Sequence, residues 1–270
     1  MHDLLTINPE RLANVFKMDL HHLVRGKVLY VMIAIAVFIP VMMLTQMDGA
    51  NDLMAFVGVS AFPSAEAPGG TFGAGMSLSM LNVLTGILLC IYIGSDYKTG
   101  FIKSIVAAHA NKYDYIISKA LVALVCNIAL LVAYLAALFI VGSAMGVPTG
   151  MASLPGLAQL ILEKLILSVP MSLLVIALNM VFRRSYGWSI AATCLVASGM
   201  MSTGAQMGLR MLGLDAAASM LNFTISGASA FFASATFDPL GFLMIVLVGG
   251  AWALALSVAS DCLMNRLDLL

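Results

Sequence analysis

Charge is scarce in this chain. Asp, Glu, Lys and Arg make up 10% of the 270 residues, whereas 61% are hydrophobic. That balance excludes an ordinary soluble globular domain. The zero formal net charge carries no information about partners, because the charges are segregated along the chain. No disulfide framework is expected either. All four cysteines, Cys90, Cys126, Cys194 and Cys262, fall within or at the edge of apolar runs, away from the loops where a secreted scaffold would place them. No G-x-x-x-x-G-K-[ST] occurs, so the chain cannot cradle nucleotide phosphates by that route. His2, His21, His22 and His109 all lie outside the apolar runs. This argues against a Ser-His protease or a His-ligated metal at mid-membrane. No catalytic, cofactor-binding or metal-binding residue is assigned.

What the chain has is six apolar runs, at 28–47, 78–95, 120–142, 157–182, 188–208 and 240–260. Each is about the length a helix needs to cross a hydrocarbon core of roughly 30 Å. The basic residues sit on alternate connections. Arg11, Lys17, Arg25 and Lys27 precede the first run, Lys98, Lys103, Lys112 and Lys119 join the second to the third, Arg183 and Arg184 follow the fourth, and Arg266 lies in the tail. The opposite connections contribute only Arg210. By the positive-inside rule, both termini are expected in the cytoplasm. The expectation is an all-α membrane protein forming one transmembrane domain over 1–270. It divides into an amphipathic cytoplasmic segment at 1–27, a six-helix bundle at 28–260 and a cytoplasmic tail at 261–270.

Asn8-Pro9-Glu10 is a helix start, with a cap, a proline at the first helical position and an acid at the positive dipole end. In the helix that follows, Leu12, Phe16, Leu20 and Leu23 share one face, opposite Arg11, Asn14, Lys17, His21 and Arg25. It is expected to lie along the cytoplasmic membrane surface with its basic residues near lipid phosphates. The segment 209–239 carries Leu212, Met220, Leu221, Phe223, Phe231 and Phe232, interrupted by Gly213, Asp215, Gly227 and Pro239. It is too apolar for a solvated loop and reads as short interfacial or re-entrant helices closing the outer side. The first run begins after 27 residues and reads as a retained anchor, not a cleaved signal.

The connection from Asp96 to Lys119 is the most informative stretch. Phe101, Ile102, Ile105 and Val106 cluster on one face of a short amphipathic helix, with Lys98 and Lys103 pointing elsewhere. Such a face suits either a groove on another protein or the lipid surface. An acid, a glycine four residues on, an apolar residue and lysine, then a Tyr/Ile-rich run ending in Ser-Lys resembles the type-2 permeases of ATP-binding-cassette (ABC) exporters. Asp96, Gly100, Lys103 and Ser118-Lys119 carry the match. Asp96 stands where that family often has Glu, and Asn111 near where Arg is common. The resemblance implies that this connection is a coupling helix, with Asp96, Lys98, Gly100, Phe101, Ile102, Lys103 and Ile105 engaging a separate cytoplasmic ATPase. ATP and Mg would be held by that ATPase, with no cofactor in this chain. It also implies a second permease copy or a related chain as partner, and a bacterial plasma membrane setting. Size and compactness resemble the permeases of bacteriocin-immunity and antimicrobial-peptide exporters.

Ionisable residues inside spans are costly and default to functional hypotheses. Glu163 and Lys164 lie in the fourth run, pointing about 100° apart, so Glu163 is a candidate path or gate residue while Lys164 is expected to snorkel outward. Asn127, Asn179 and Gln206 are further path candidates, each weighed against a plain interhelical hydrogen bond. Pro40 and Pro170 are expected to kink their helices. The leading reading is the transmembrane subunit of an ATP-driven exporter of a lipophilic or amphipathic substrate, such as a peptide. The alternatives are a secondary transporter or channel working without an ATPase, and a membrane scaffold or sensor. No contact with nucleic acid is expected, and a membrane enzyme is the least favoured class.

Overall fold

The computed structural model describes residues 9–46, 76–99, 112–144, 154–182, 185–231 and 239–266. These residues form α-helices and one 3-10 turn. The longer helices are α1 (Pro9–Arg25), α2 (Lys27–Gln46), α3 (Met76–Thr99), α4 (Lys112–Ala144) and α5 (Leu154–Val181). Then come α6 (Tyr186–Ala197), α7 (Met200–Met211), α8 (Asp215–Met220), the 3-10 turn Leu221–Phe223, α9 (Ile225–Phe231) and α10 (Pro239–Arg266).

Glu10 in the first turn of α1 and His22 and Arg25 in its last match the helix dipole. The helix stops at Gly26, whose amide bonds the Leu23 carbonyl at 3.0 Å. The chain then bends by 67° into α2. Among the described residues, three helices are long and apolar enough to cross a membrane. They are Asp114–Ala144, Ile161–Val181 and Pro239–Met264, and the bent α1–α2 pair makes a fourth when its two parts are counted as one span. α3 covers the predicted run 78–95 in 24 residues, but Asn82, Thr85 and its last turn make it more polar. At 33 residues α4 is about 50 Å long, so one end must project beyond a 30 Å hydrocarbon core.

The continuous fifth crossing expected at 188–208 is not what forms. α6 ends after 12 residues, about 18 Å. The chain turns at Ser198 and Gly199, with Gly199 at φ +72° in the left-handed region that glycine tolerates. α7 exposes Met201, Met207, Met211 and Arg210. The short helices expected beyond it are present as α8, the 3-10 turn and α9. Pro40 and Pro170 lie inside the continuous helices α2 and α5.

α5 is the central helix, with 61% of its most apolar stretch buried, against 33% for α4 and 17% for α10. One core, including Leu23, Met32, Leu88, Tyr92, Cys126, Leu130 and Tyr134, joins α1, α2, α3 and α4. A second, including Leu89, Ile93, Tyr115, Ile116, Met171 and Ile176, joins α3, α4 and α5 and reaches α6 through Ala197. α10 lies along α5, where a Cβ on Gly249 would stand 3.0 Å from Ile166 Cγ2. Its outer face exposes Leu240, Leu243, Leu247, Leu254 and Val258.

α9 is fastened to this pair through Ala228, which packs with Leu167, Ile245 and Val248. The Trp252 indole donates a 2.8 Å bond to the Phe223 carbonyl, and Trp252 is 13 residues into α10, about 20 Å along its axis. The turn at Phe223 therefore reaches well down the flank of α10. A Cβ on Gly227 would sit 2.0 Å from the Leu221 carbonyl oxygen, so Gly227→Ala must distort this turn at a cost of about 1–3 kcal/mol. Gly204 has open space around it. Thermal unfolding in detergent should show Gly227→Ala clearly destabilised and Gly204→Ala unchanged or slightly stabilised.

A candidate coupling site at the α1 end of the bundle

Where α3 ends and α4 begins, three charged side chains from three helices meet out of solvent. Lys119 on α4 is fully buried, with Nζ 2.9 Å from Asp19 Oδ1 on α1 and 2.6 Å from Asp96 Oδ2 on α3. Asp19 and Asp96 are themselves 1% and 2% exposed. Two carboxylates converge on one ammonium, and hydroxyls gather around them. Ser118 Oγ donates to Asp19 Oδ2 at 2.6 Å and the Tyr115 hydroxyl to Asp96 Oδ2 at 3.1 Å. The Tyr92 hydroxyl donates to the Asp19 carbonyl at 2.9 Å and lies 3.1 Å from Asp19 Oδ1. Lys119 Nζ also sits 3.9 Å from the centroid of the Tyr92 ring, an added cation–π contact. His22 on α1 stacks at a tilt on the same ring, with centroids 5.5 Å apart.

Local structure explains the convergence. α1 turns its Phe16–Asp19–Leu23 face onto α4, so Asp19 arrives among apolar neighbours. α4 runs long enough at its start to bring Tyr115, Ser118 and Lys119 onto the same level. Two of the residues that carry the family resemblance, Asp96 and Lys119, are thus ion-paired with each other, and a third, Ser118, bonds Asp19, the other carboxylate that Lys119 holds. Asp19 is absent from the sequence reading. Its signal was present, as the one acid on the apolar face of an amphipathic helix. Lys98 is exposed at the end of α3. Gly100, Phe101, Ile102, Lys103 and Ile105 lie outside the described residues.

The path candidates do not converge on one place. Glu163 is buried and accepts a 2.7 Å bond from Gln159 one turn earlier on α5. Lys164 is also buried, at 8% exposure, because α5 is the central helix. The expected outward snorkel does not occur. Asn127 accepts a 2.9 Å bond from Thr85, tying α4 to α3, and lines a small cavity with Asn82, Gly86, Ser168 and Ser172. Asn179 accepts from Ser189 at 2.6 Å and donates to Cys90 Sγ at 3.3 Å, joining α5 to α6 and α3. Thr193 Oγ1 lies 3.2 Å from the same sulfur. Gln206 donates to Asn222 at 2.8 Å, tying α7 to the 3-10 turn. Most of these side chains are interhelical ties, each worth about 0.6 kcal/mol in a bilayer. Among the described residues no group of three or more His, Cys, Asp or Glu is placed to hold a metal ion.

A family model described as ABC-2 family transporter protein matches residues 16–199, about two-thirds of the chain. The match spans Asp19, Asp96 and Lys119 and stops at the break at Gly199. No curated protein and no solved structure matches the chain.

Removing one partner of a buried ion pair costs about 3–5 kcal/mol, because the other charge is left without compensation. Lys119→Met strands two carboxylates and should show the largest loss. Asp19→Asn keeps the Lys119–Asp96 pair and should lose less. Adding Asp96→Asn to Lys119→Met should recover part of the deficit. Unfolding followed by thiol labelling of the buried Cys90 and Cys126 ranks the variants.

Proposed function

This chain belongs to the ABC-2 transporter family and is a type-2 ABC permease, and from that premise we propose that it is the membrane subunit of an ATP-driven exporter of a lipophilic or amphipathic substrate. The observation that carries the mechanism is the buried Asp19–Lys119–Asp96 cluster. It brackets the connection 100–111, with Asp96 in the last turn of α3 and Lys119 about two turns into α4. A force delivered to that connection is handed at once to α3, α4 and α1, because all three meet in one charged cluster. The proposed input is an ABC ATPase seated on Phe101, Ile102 and Ile105, with Lys98 and Lys103 beside them.

In this reading the α1 end is cytoplasmic, as the distribution of lysine and arginine favours. α2, α3, α4, α5 and α10 each cross, and α6 through α9 together carry the chain over once more, giving six crossings with both termini inside. A second copy or a related chain completes the path. A peptide substrate such as a bacteriocin or antimicrobial peptide is favoured by a bundle with few ionisable side chains and by the 20 methionines, which suit adaptable apolar contact.

Two experiments test the reading. Phe101→Asp should abolish copurification of the ATPase while membrane insertion persists, and unchanged copurification would refute the assignment of the connection. Cysteines at Gly70 and Gly150 should react with an impermeant thiol reagent added outside intact cells, and one at Lys112 should not. Outside labelling at Lys112 would reverse the orientation.

A further inference from the structure

α1 was expected to lie along the membrane surface with its basic residues near lipid phosphates, and its apolar face is occupied by protein. Leu23 and Asp19 are buried, and Phe16 packs onto the core shared by α1, α2, α3 and α4. The opposite side of the helix carries Lys17, His21 and Arg25, spaced four residues apart so that they form one row, and all three are exposed. Lys27, just past the bend at Gly26, is exposed as well. Asp19 lies on the far side, engaged with Lys119, and Glu10 on the row's own side is seven residues before Lys17, about 10 Å along the axis. None of the ion pairs among the described residues uses Lys17, Arg25 or Lys27.

From this geometry we infer that Lys17, His21, Arg25 and Lys27 form a binding site for the headgroup of an anionic phospholipid. Three features select lipid as the occupant. The 67° bend sets α1 closer to the plane of a membrane crossed by α2 than to its normal, which limits the spread of the row in depth. Met18 and Val24, each 44% exposed, flank the row. Immediately beyond Lys27, α2 exposes Tyr30, Val31, Ile35 and Phe38, so cationic groups give way to apolar surface within one or two turns. Phosphate above acyl chain has that same order. Because the apolar face of α1 is engaged by α4, attraction to this lipid is mainly electrostatic. It depends on the row's charge and is screened by salt.

The test uses the full purified chain in detergent and native mass spectrometry, titrating phosphatidylglycerol or phosphatidylcholine. The wild-type chain should retain phosphatidylglycerol preferentially, and the preference should fall as ammonium acetate is raised. Each charge removed from Lys17, Arg25 or Lys27 as Gln should weaken phosphatidylglycerol retention about fivefold, while Arg210→Gln, exposed on α7, should leave it unchanged. The salt titration on the wild-type chain decides the matter even where the triple variant fails to fold. Equal retention of the two lipids, a preference indifferent to salt, or a triple variant that keeps the preference would each overturn the site. A triple variant that keeps the lipid but loses an ATPase partner would instead make the row a protein-docking strip, and would also overturn it.

Discussion

One lysine held between two buried carboxylates organises the end of this molecule where α1, α3 and α4 meet. Such an arrangement is expensive, because removing a charged group from water costs several kcal/mol even after relaxation. It is tolerated here because each charge has several partners. Lys119 has two carboxylates and an aromatic face, while Asp19 and Asp96 share that lysine and accept from Ser118, Tyr115 and Tyr92. Each contact requires its helix to stand in one place. α1 cannot slide, α3 cannot rotate and α4 cannot tilt without breaking a bond inside the cluster. That restriction suits a transmission element better than a source of stability, since a well-packed apolar cluster of similar volume would stabilise as much or more.

Above the cluster, polar contacts replace part of the apolar packing that holds soluble bundles together. Lipid tails are as apolar as leucine, so helices in a membrane gain little from burying apolar surface against each other. Cys90, Asn179, Ser189 and Thr193 form one set of ties, and Thr85 with Asn127 forms another. Close approach supplies the rest. A Cβ on Gly86 would stand 2.4 Å from Thr193 Cγ2, so α3 and α6 meet there with almost nothing between them. α10 is the contrast, clamped along α5 on one side and exposing leucine and valine on the other.

Much of this was legible in the sequence, for physical reasons that also explain what was not. Long apolar runs leave a helix little alternative in a bilayer, so the helices at 120–142, 157–182 and 240–260 appear where expected and only run longer. Asp96, Ser118 and Lys119 were visible because the motif names them. Asp19 was not, since its partners lie about 75 and 100 residues away and a lone acid on an apolar face does not announce which cation it will meet. Lys164 was misjudged because hydropathy treats every span as lipid-facing, whereas α5 is the centre of the bundle. The fifth run hid its break for a similar reason. Ser198 and Gly199 barely lower its apolar character, yet a glycine at φ +72° is enough to end α6.

The central claim is that the Asp19–Lys119–Asp96 cluster makes α1 and the ends of α3 and α4 one rigid unit. Pulsed electron paramagnetic resonance tests it directly, with spin labels on cysteines replacing the exposed Asn14 of α1 and Thr99 of α3, and with Cys194 and Cys262 changed to serine. The account predicts a single narrow distance distribution with Asp19 in place, and a broadened or shifted one in the Asp19→Asn background. An equally narrow distribution at the same distance in that background would contradict it.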